Sequence, residues 1–324
     1  MVGISVIICT HNPLPDYLKR VLNALDAQTL SKGEWELLLI DNASDPPLSD
    51  TLVQSGHPQA RHIRENELGL TPARLRGIRE SSGDFLVYVD DDTLLAPDYL
   101  EKARSLLMDY PNLGVIGAGI LAPEFEVPPP PQLVPYIENL SLRHVSDRFW
   151  STNTKDLVSV PWGAGLCVRR RVCEFYQQLL THLNVTELLD RRGEKLFGNG
   201  DVAFSWACVA GGQGFGVFPE LQVTHMIPAD RLTARYFLQL VHDTNVSSGV
   251  LHYLREGVMP GDNHGAGERW VRLILHGIRR GLFSMRLKRA ASVGMDSAKH
   301  IIEQRRLRPL EQGNHFAARS ARVA

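Results

Sequence analysis

The sequence has 324 residues, with 35 Lys+Arg against 36 Asp+Glu, a formal net charge of −1 and 44% hydrophobic residues. That apolar fraction at balanced charge excludes a mostly disordered chain, and near-zero net charge speaks against a nucleic-acid binder unless charge is segregated along the chain. The four cysteines, at positions 9, 167, 173 and 208, form no C-x-x-C pair, which suggests neither a zinc site nor a disulfide framework and fits a reducing, cytoplasmic setting.

Gly3 leads directly into the β-branched residues 4–10, with no basic n-region or small-residue cleavage site, so no secretory signal is expected. Residues 4–10 stop at His11-Asn12-Pro13 and read as a strand buried on both faces of a parallel sheet. Leu14, Leu18, Val21, Leu22 and Leu25 then recur at helical spacing, and residues 35–40 form a second strand ending at Asp41-Asn42-Ala43-Ser44-Asp45. A short strand near residues 61–64, a helix over about 71–80 and the strand 85–89 repeat the pattern, closing on Asp90-Asp91-Asp92. Alternating strands and helices predict an α/β fold with an open, mostly parallel sheet flanked by helices. Ligands of such sheets bind outside the carboxyl ends of the strands, where all three polar clusters fall.

A helix over 97–110, an apolar Gly-rich segment at 114–121 and the connection Pro128-Pro129-Pro130-Pro131 follow. The second half holds Trp162-Gly163-Ala164-Gly165, a helix from Val172, the turn Gly198-Asn199-Gly200-Asp201 ahead of an apolar helix, and an apolar stretch ending at Val223-Thr224-His225. Gly211 to Gly216 superficially resembles a dinucleotide loop but follows a helix, so a Rossmann reading fails its context test. No P-loop and no G-x-S-x-G elbow occurs. No uncharged apolar run approaches the roughly 20 residues of a membrane span.

Consecutive Asp90, Asp91 and Asp92 after an apolar strand repel one another unless a cation or proton intervenes. Mg²⁺ or Mn²⁺ suits such a cluster, since these ions bind through one or two carboxylates while substrate phosphates complete the shell. A solvated turn capping the next helix is the plainer alternative. Asp41 could accept a hydrogen bond from a nucleobase N–H, and Thr10, His11 and Asn12 could approach a nucleotide; a turn and a structural imidazole are equally consistent in isolation. Arg74, early in a helix at the same sheet edge, could meet a base or diphosphate or face solvent. Asp201 alone reads as an N-cap.

In order, residues 5–12, the segment 39–45, Asn66 to Gly77 with Ala73-Arg74, and Val89-Asp90-Asp91-Asp92 resemble the nucleotide-sugar domain of family 2 glycosyltransferases. Gly163-Ala164-Gly165 with Arg169-Arg170, then Gly200-Asp201 and His225, resemble that family's acceptor-side motifs. The resemblance covers about residues 4–235. It implies a GT-A fold, with residues 1–230 as catalytic domain (about 1–120 binding the nucleotide sugar, about 121–230 the acceptor) and 231–324 as a helical extension. It further implies metal-dependent, inverting transfer from a nucleoside-diphosphate sugar to a saccharide or lipid-linked hydroxyl in surface glycan or glycolipid synthesis. Asp41 would bind the base, Arg74 the base or diphosphate, and Asp90, with Asp91 beside it, the ribose or a metal-bound water. Asp92 would ligate the metal, aided by Asp90 and His225, and Asp201 would be the catalytic base. Where the family often has Glu before the base and Asn after the Ala-Arg pair, this chain has Gly200 and Leu75. A catalytically silent nucleotide-sugar-binding scaffold and a GT-A-like nucleotidyltransferase are the alternatives; the retained acids disfavour the first, and the lack of a basic Gly-rich loop after the first strand the second.

From residue 269 onward, 13 Lys/Arg stand against 3 Asp/Glu, so charge is segregated after all. Trp270, Val271, Leu273, Ile274, Leu275, Ile278, Leu282, Phe283 and Leu287 alternate with Arg272, Arg279, Arg280, Arg286, Lys288 and Arg289. Such a segment either lies peripherally on the anionic inner face of a membrane or packs on the catalytic domain.

Overall fold

The computed structural model describes residues 3–48, 56–261 and 281–310. Its first half is the expected strand–helix alternation: β1 (Ile4–Thr10), α1 (Pro15–Asp26), β2 (Trp35–Asn42), β3 (Ala60–Glu65), α2 (Leu70–Glu80), β4 (Phe85–Asp90), β5 (Thr93–Leu95) and α3 (Tyr99–Asp109). β1 lies between β2 and β4, parallel to both, and this central place is why its sequence is an unbroken apolar run. Period-2 alternation divides the side chains between the two faces of the sheet. Ile7, Leu38, Ile40, Leu86 and Tyr88 share one core with Ala73 and Ile78 of α2, whereas Val6, Ile8, Leu37, Leu39 and Val87 pack with Leu18, Val21 and Leu22 of α1 and Leu100 and Leu107 of α3. Each fully buried aliphatic side chain of this kind contributes about 1.5–3 kcal/mol, so both faces must be covered.

The second half contains β6 (Leu113–Phe125), β7 (Arg143–His144), β8 (Phe149–Ser151), β9 (Cys167–Arg169), α4 (Arg170–Leu183), α5 (Gly200–Ala210), β10 (Gly214–Ile227), α6 (Ala234–Glu256) and, after residues outside the description, α7 (Leu282–Arg305). The sheet order is β3-β2-β1-β4-β9-β6-β10-β5, with β7 on β6 and β8 on β10. The parallel first half joins the second through β9, which is antiparallel to both β4 and β6, so the whole sheet is mixed. β6 and β10 run parallel to each other and correspond to segments that look merely Gly-rich in the sequence. Their glycines answer to close packing: a Cβ on Gly117 would come within 2.6 Å of the Pro161 side chain.

α4 and α5 cover the same face as α2, with Tyr176 and Phe204 stacked at 3.7 Å between ring centroids. α6 and α7 pack on each other and on this body: Val250, Leu254, Ala298 and Ile302 join the core of α4 and α5, while Phe237 and Leu287 join Leu133 and Leu140. Of the basic segment, residues 269–280 and 311–324 lie outside the described residues; Leu282 is exposed and Leu287 is buried.

Candidate active site

A cavity of about 450 Å³ opens at the carboxyl ends of β1 and β4, the place an open α/β sheet reserves for ligands and a volume in the range of small-molecule sites. Eight of the residues singled out in the sequence line it: Thr10, His11, Arg74, Asp90, Asp91 and Asp92 from the first half, Asp201 and His225 from the second. Asn12 and Asp41 do not.

Asp41 is fully buried beneath the loop that follows it. Its carboxylate accepts the Ser44 and Leu48 N–H groups, each at 3.1 Å, and an Arg64 guanidinium N–H at 2.6 Å. Burial opposes its charge, but these hydrogen bonds prevail and hold the carboxyl below the usual range. In this structure Asp41 anchors its own loop, and its neighbour Asn42 reaches the cavity. Asn42 orders the next segment by donating to the Glu67 carbonyl at 2.6 Å and accepting the Gly69 N–H at 2.7 Å. Asn12 is likewise a brace, its Oδ1 accepting the Asp45 N–H at 2.8 Å and its own N–H donating to Ser44 Oγ at 2.9 Å. His11 Nδ1 lies 2.7 Å from the Asn42 carbonyl, which fixes its ring at the rim. Arg169 and Arg170 serve the fold, donating to the backbone carbonyls of Leu113 and Gly83.

The acidic triplet turns out of β4 into the short β5. β10 pairs antiparallel with β5 so that His225 stands opposite Thr93, and the Met226 N–H donates to the Asp92 carbonyl at 2.8 Å. This register sets His225 Nε2 3.4 Å from Asp92 Oδ2, and Arg231, just beyond β10, pairs with the same oxygen at 2.7 Å. Burial disfavours the Asp92 anion, but Arg231 and His225 override it and hold the carboxyl well below the usual range. Burial and then the Asp92 charge push Asp90 and Asp91 the other way. The Thr10 hydroxyl, donating to Asp91, partly offsets this for Asp91.

Among the described residues no three Asp, Glu, His or Cys groups form a ligand cluster. One carboxylate, Asp92, with the His225 imidazole beside it, is nevertheless a donor set suited to a hard divalent cation that takes its other ligands from phosphate and water. His225 Nδ1 is buried without a hydrogen-bond partner, while its Nε2 lies 3.3 Å from Arg231 Nη1. Asp90 lies in the same pocket as a further acid.

Asp201 stands in the first turn of α5 and is not the N-cap, a position held by Asn199 at φ 100°. Its two oxygens accept the Val202 N–H at 2.8 Å and the Gly163 N–H at 3.2 Å. Burial raises its pKa, Arg74 opposes that, and Asp190 adds to it. Arg74 is buried against Asp190, with Nη1 3.0 and 3.2 Å from the two carboxylate oxygens. Burial disfavours its cation, yet Asp190 keeps it firmly protonated. Asp190, Arg191 and Arg231 line the cavity and were not selected from the sequence. Asp190 and Arg191 sit in an unpatterned charged stretch after α4, and the only local hint of Arg231 is its place six residues beyond His225. α6 closes the wall with Leu240 and Thr244, and its Asp243 accepts the Leu196 N–H at 2.8 Å.

A parallel half-sheet offering carboxylates to one cavity, completed by a mixed half that brings a further acid and a histidine, is the GT-A architecture. Residues 5–163 match the model of Glycosyl transferase family 2. It is similar to Uncharacterized glycosyltransferase YwdF of Bacillus subtilis, 30% identical over 99 residues, 31% of this chain and 36% of that protein. Glycosyltransferase AglE of Haloferax volcanii is 31% identical over 107 residues, 32% of this chain and 35% of that one. The chain thus spans about a third of the length of these curated relatives. Among solved structures, the mannosyltransferase PcManGT from Pyrobaculum calidifontis, in complex with GDP-Man and Mn²⁺, matches with a TM-score of 0.51 at 15% identity, covering 98% of this chain and 78% of that one. That likeness establishes the fold.

Proposed function

We propose that the protein is a glycosyltransferase that moves a sugar from a nucleoside-diphosphate sugar to a hydroxyl of a saccharide or lipid-linked acceptor, in a metal-dependent, inverting displacement. The observation that carries this reading is that one cavity holds both the acidic end of β4 and the half-buried Asp201 at the start of α5.

In this reading the donor's diphosphate lies toward Asp92, His225 and Arg231, and the acceptor enters on the side of Asp201. Asp92 and His225 would hold the divalent cation, which supplies Lewis-acid neutralisation of the departing diphosphate when bound. Asp201 takes the proton of the acceptor hydroxyl while that oxygen bonds to the anomeric carbon. The anomeric carbon–oxygen bond to the diphosphate breaks, and its electron pair leaves on the phosphate oxygen. Arg231 and Arg191 supply positive charge for that anion, and Arg74, kept cationic by Asp190, supports the floor beneath Asp201. Burial suits Asp201 to this task because it makes the carboxylate more basic than an exposed one.

We assign the reaction to cell-surface polysaccharide, glycolipid or glycan synthesis on the cytoplasmic side, with the basic segment after residue 269 as a peripheral membrane contact. No helix among the described residues is long and apolar enough to cross a membrane. Calorimetric titration of UDP, GDP and dTDP, with and without Mn²⁺, tests the donor assignment. One nucleotide should bind in a Mn²⁺-dependent way that Asp92→Ala removes; no binding of any nucleotide with either Mn²⁺ or Mg²⁺ would overturn it.

A further inference from the structure

A closed ring of contacts runs from Asp201 back to the residue before it. Asp201 accepts the Gly163 N–H. Gly163 lies against Arg74, so that a Cβ there would come within 2.8 Å of Nη2. Arg74 Nη1 sits on the Asp190 carboxylate, which also accepts the Thr71 hydroxyl at 2.9 Å. The Asp190 carboxyl in turn fills the space of a side chain at position 200: a Cβ on Gly200 would overlap its carbon and oxygens. Asp190 is 7% exposed and Arg74 3%, so neither has solvent into which to retreat.

Resting on the glycosyl-transfer reading of this cavity, we propose that Asp190 is the positioning residue of the base, supplying from the loop before α5 a carboxylate that Gly200 makes room for and Arg74 ties to Asp201. A carboxylate from position 190 and a side chain at position 200 exclude each other. The two glycines and the ion pair therefore form one device that seats Asp201. The cations facing Asp201 are Arg74 on α2 and Arg143 on β7, and the facing anion is Asp190. Arg74 favours the charged form of Asp201 and so weakens it as a base; Asp190 counters Arg74 and restores its affinity for a proton. Without Asp190 the guanidinium would lose its paired carboxylate beside the base.

Asp190→Asn removes the charge but keeps an oxygen for Arg74 and Thr71. Asp190→Ala/Gly200→Glu moves the charge, because a Glu carboxyl lies two bonds beyond Cβ, a reach that returns it to the vacated space. Nucleoside diphosphate release from the donor that calorimetry selects, followed across pH, reads the base in turnover. Carboxyl ¹³C NMR, with the Asp201 signal identified by its loss in Asp201→Asn, reads the base without turnover.

For Asp190→Asn we expect kcat to fall about tenfold at unchanged donor KM, and the Asp201 midpoint to drop by roughly one pH unit, the equivalent of that tenfold change in proton affinity. The double variant should recover most of the loss seen in Asp190→Ala. An Asp201 midpoint that is identical in wild type and Asp190→Asn overturns the proposal whatever the turnover. Turnover insensitive to Asp201→Asn would instead refute the glycosyl-transfer reading and the catalytic part of the proposal with it, while a midpoint still shifted by Asp190→Asn would uphold the contact.

Discussion

His225 and Asp92 come within 3.4 Å of each other because β10 pairs with β5 in the register that sets His225 opposite Thr93. Arg231 completes the trio with its 2.7 Å ion pair to Asp92. In this arrangement a cation bound at Asp92 and the Arg231 guanidinium compete for the same carboxylate oxygen.

That competition has opposite consequences for the two neighbours. Arg231→Ala is expected to tighten Mn²⁺ binding in the absence of nucleotide severalfold, since it frees Asp92. His225→Ala should weaken it by about tenfold or more, the scale of losses when a supporting group of a metal site is removed. Metal titration of both variants by calorimetry checks the pair of signs; equal affinities in both would refute the assignment of the metal to Asp92.

Asp201→Asn should leave donor affinity within about twofold of wild type and reduce kcat by roughly 10²–10⁴, the range for loss of a general base. Because burial raises its pKa, the acidic limb of the wild-type kcat/KM profile should lie above the ordinary carboxylate range. The rate rises with pH as Asp201 loses its proton. Steady-state kinetics over pH 4–9 would show the limb, and its persistence in Asp201→Asn would exclude this residue as its source.

Asp41 predicts a pH effect on stability instead of activity. Its folded pKa lies below the unfolded value, so its stabilising contribution is complete above the unfolded pKa and is lost as pH falls through the depressed folded one. Urea unfolding should therefore show wild type losing its advantage over Asp41→Asn as the pH drops below about 4, the unfolded carboxylate range. An advantage that grows on acidification would contradict the anchoring role.

Phe204, stacked on Tyr176 and fully buried, fixes the helix that carries Asp201. Phe204→Ala is expected to cost about 3–5 kcal/mol, as for other buried aromatic truncations. Chemical denaturation would reveal the change as a lower midpoint at unchanged slope.

Charge reversal at Arg272, Arg279 and Arg280 is expected to abolish flotation with anionic liposomes, each basic residue near such a surface contributing about 1 kcal/mol. Unchanged flotation would remove the membrane role of this segment.

Local pattern alone made the nucleotide half legible. Continuous apolar runs marked β1, β2 and β4, helical spacing marked α1, and polar residues at strand ends marked where a ligand belongs, because in a doubly covered parallel sheet burial dictates residue type position by position. β6 and β10 were opaque for the converse reason: their glycines report how closely other backbone and side chains approach, which no periodicity encodes. Asp41 and Asp92 look alike in sequence, each an acid at a strand end, and only the tertiary structure separated them. The loop after β2 folds back and satisfies Asp41, whereas β10 and Arg231 arrive from the far half and leave Asp92 facing the cavity. Asp190 carried no signal, since its role depends on meeting Arg74 and Gly200 in space. Local propensity thus determined the elements and the acids they bear, while long-range strand pairing and burial decided which of those acids share a cavity, because a carboxylate's chemistry is set by the charges and N–H groups packed around it.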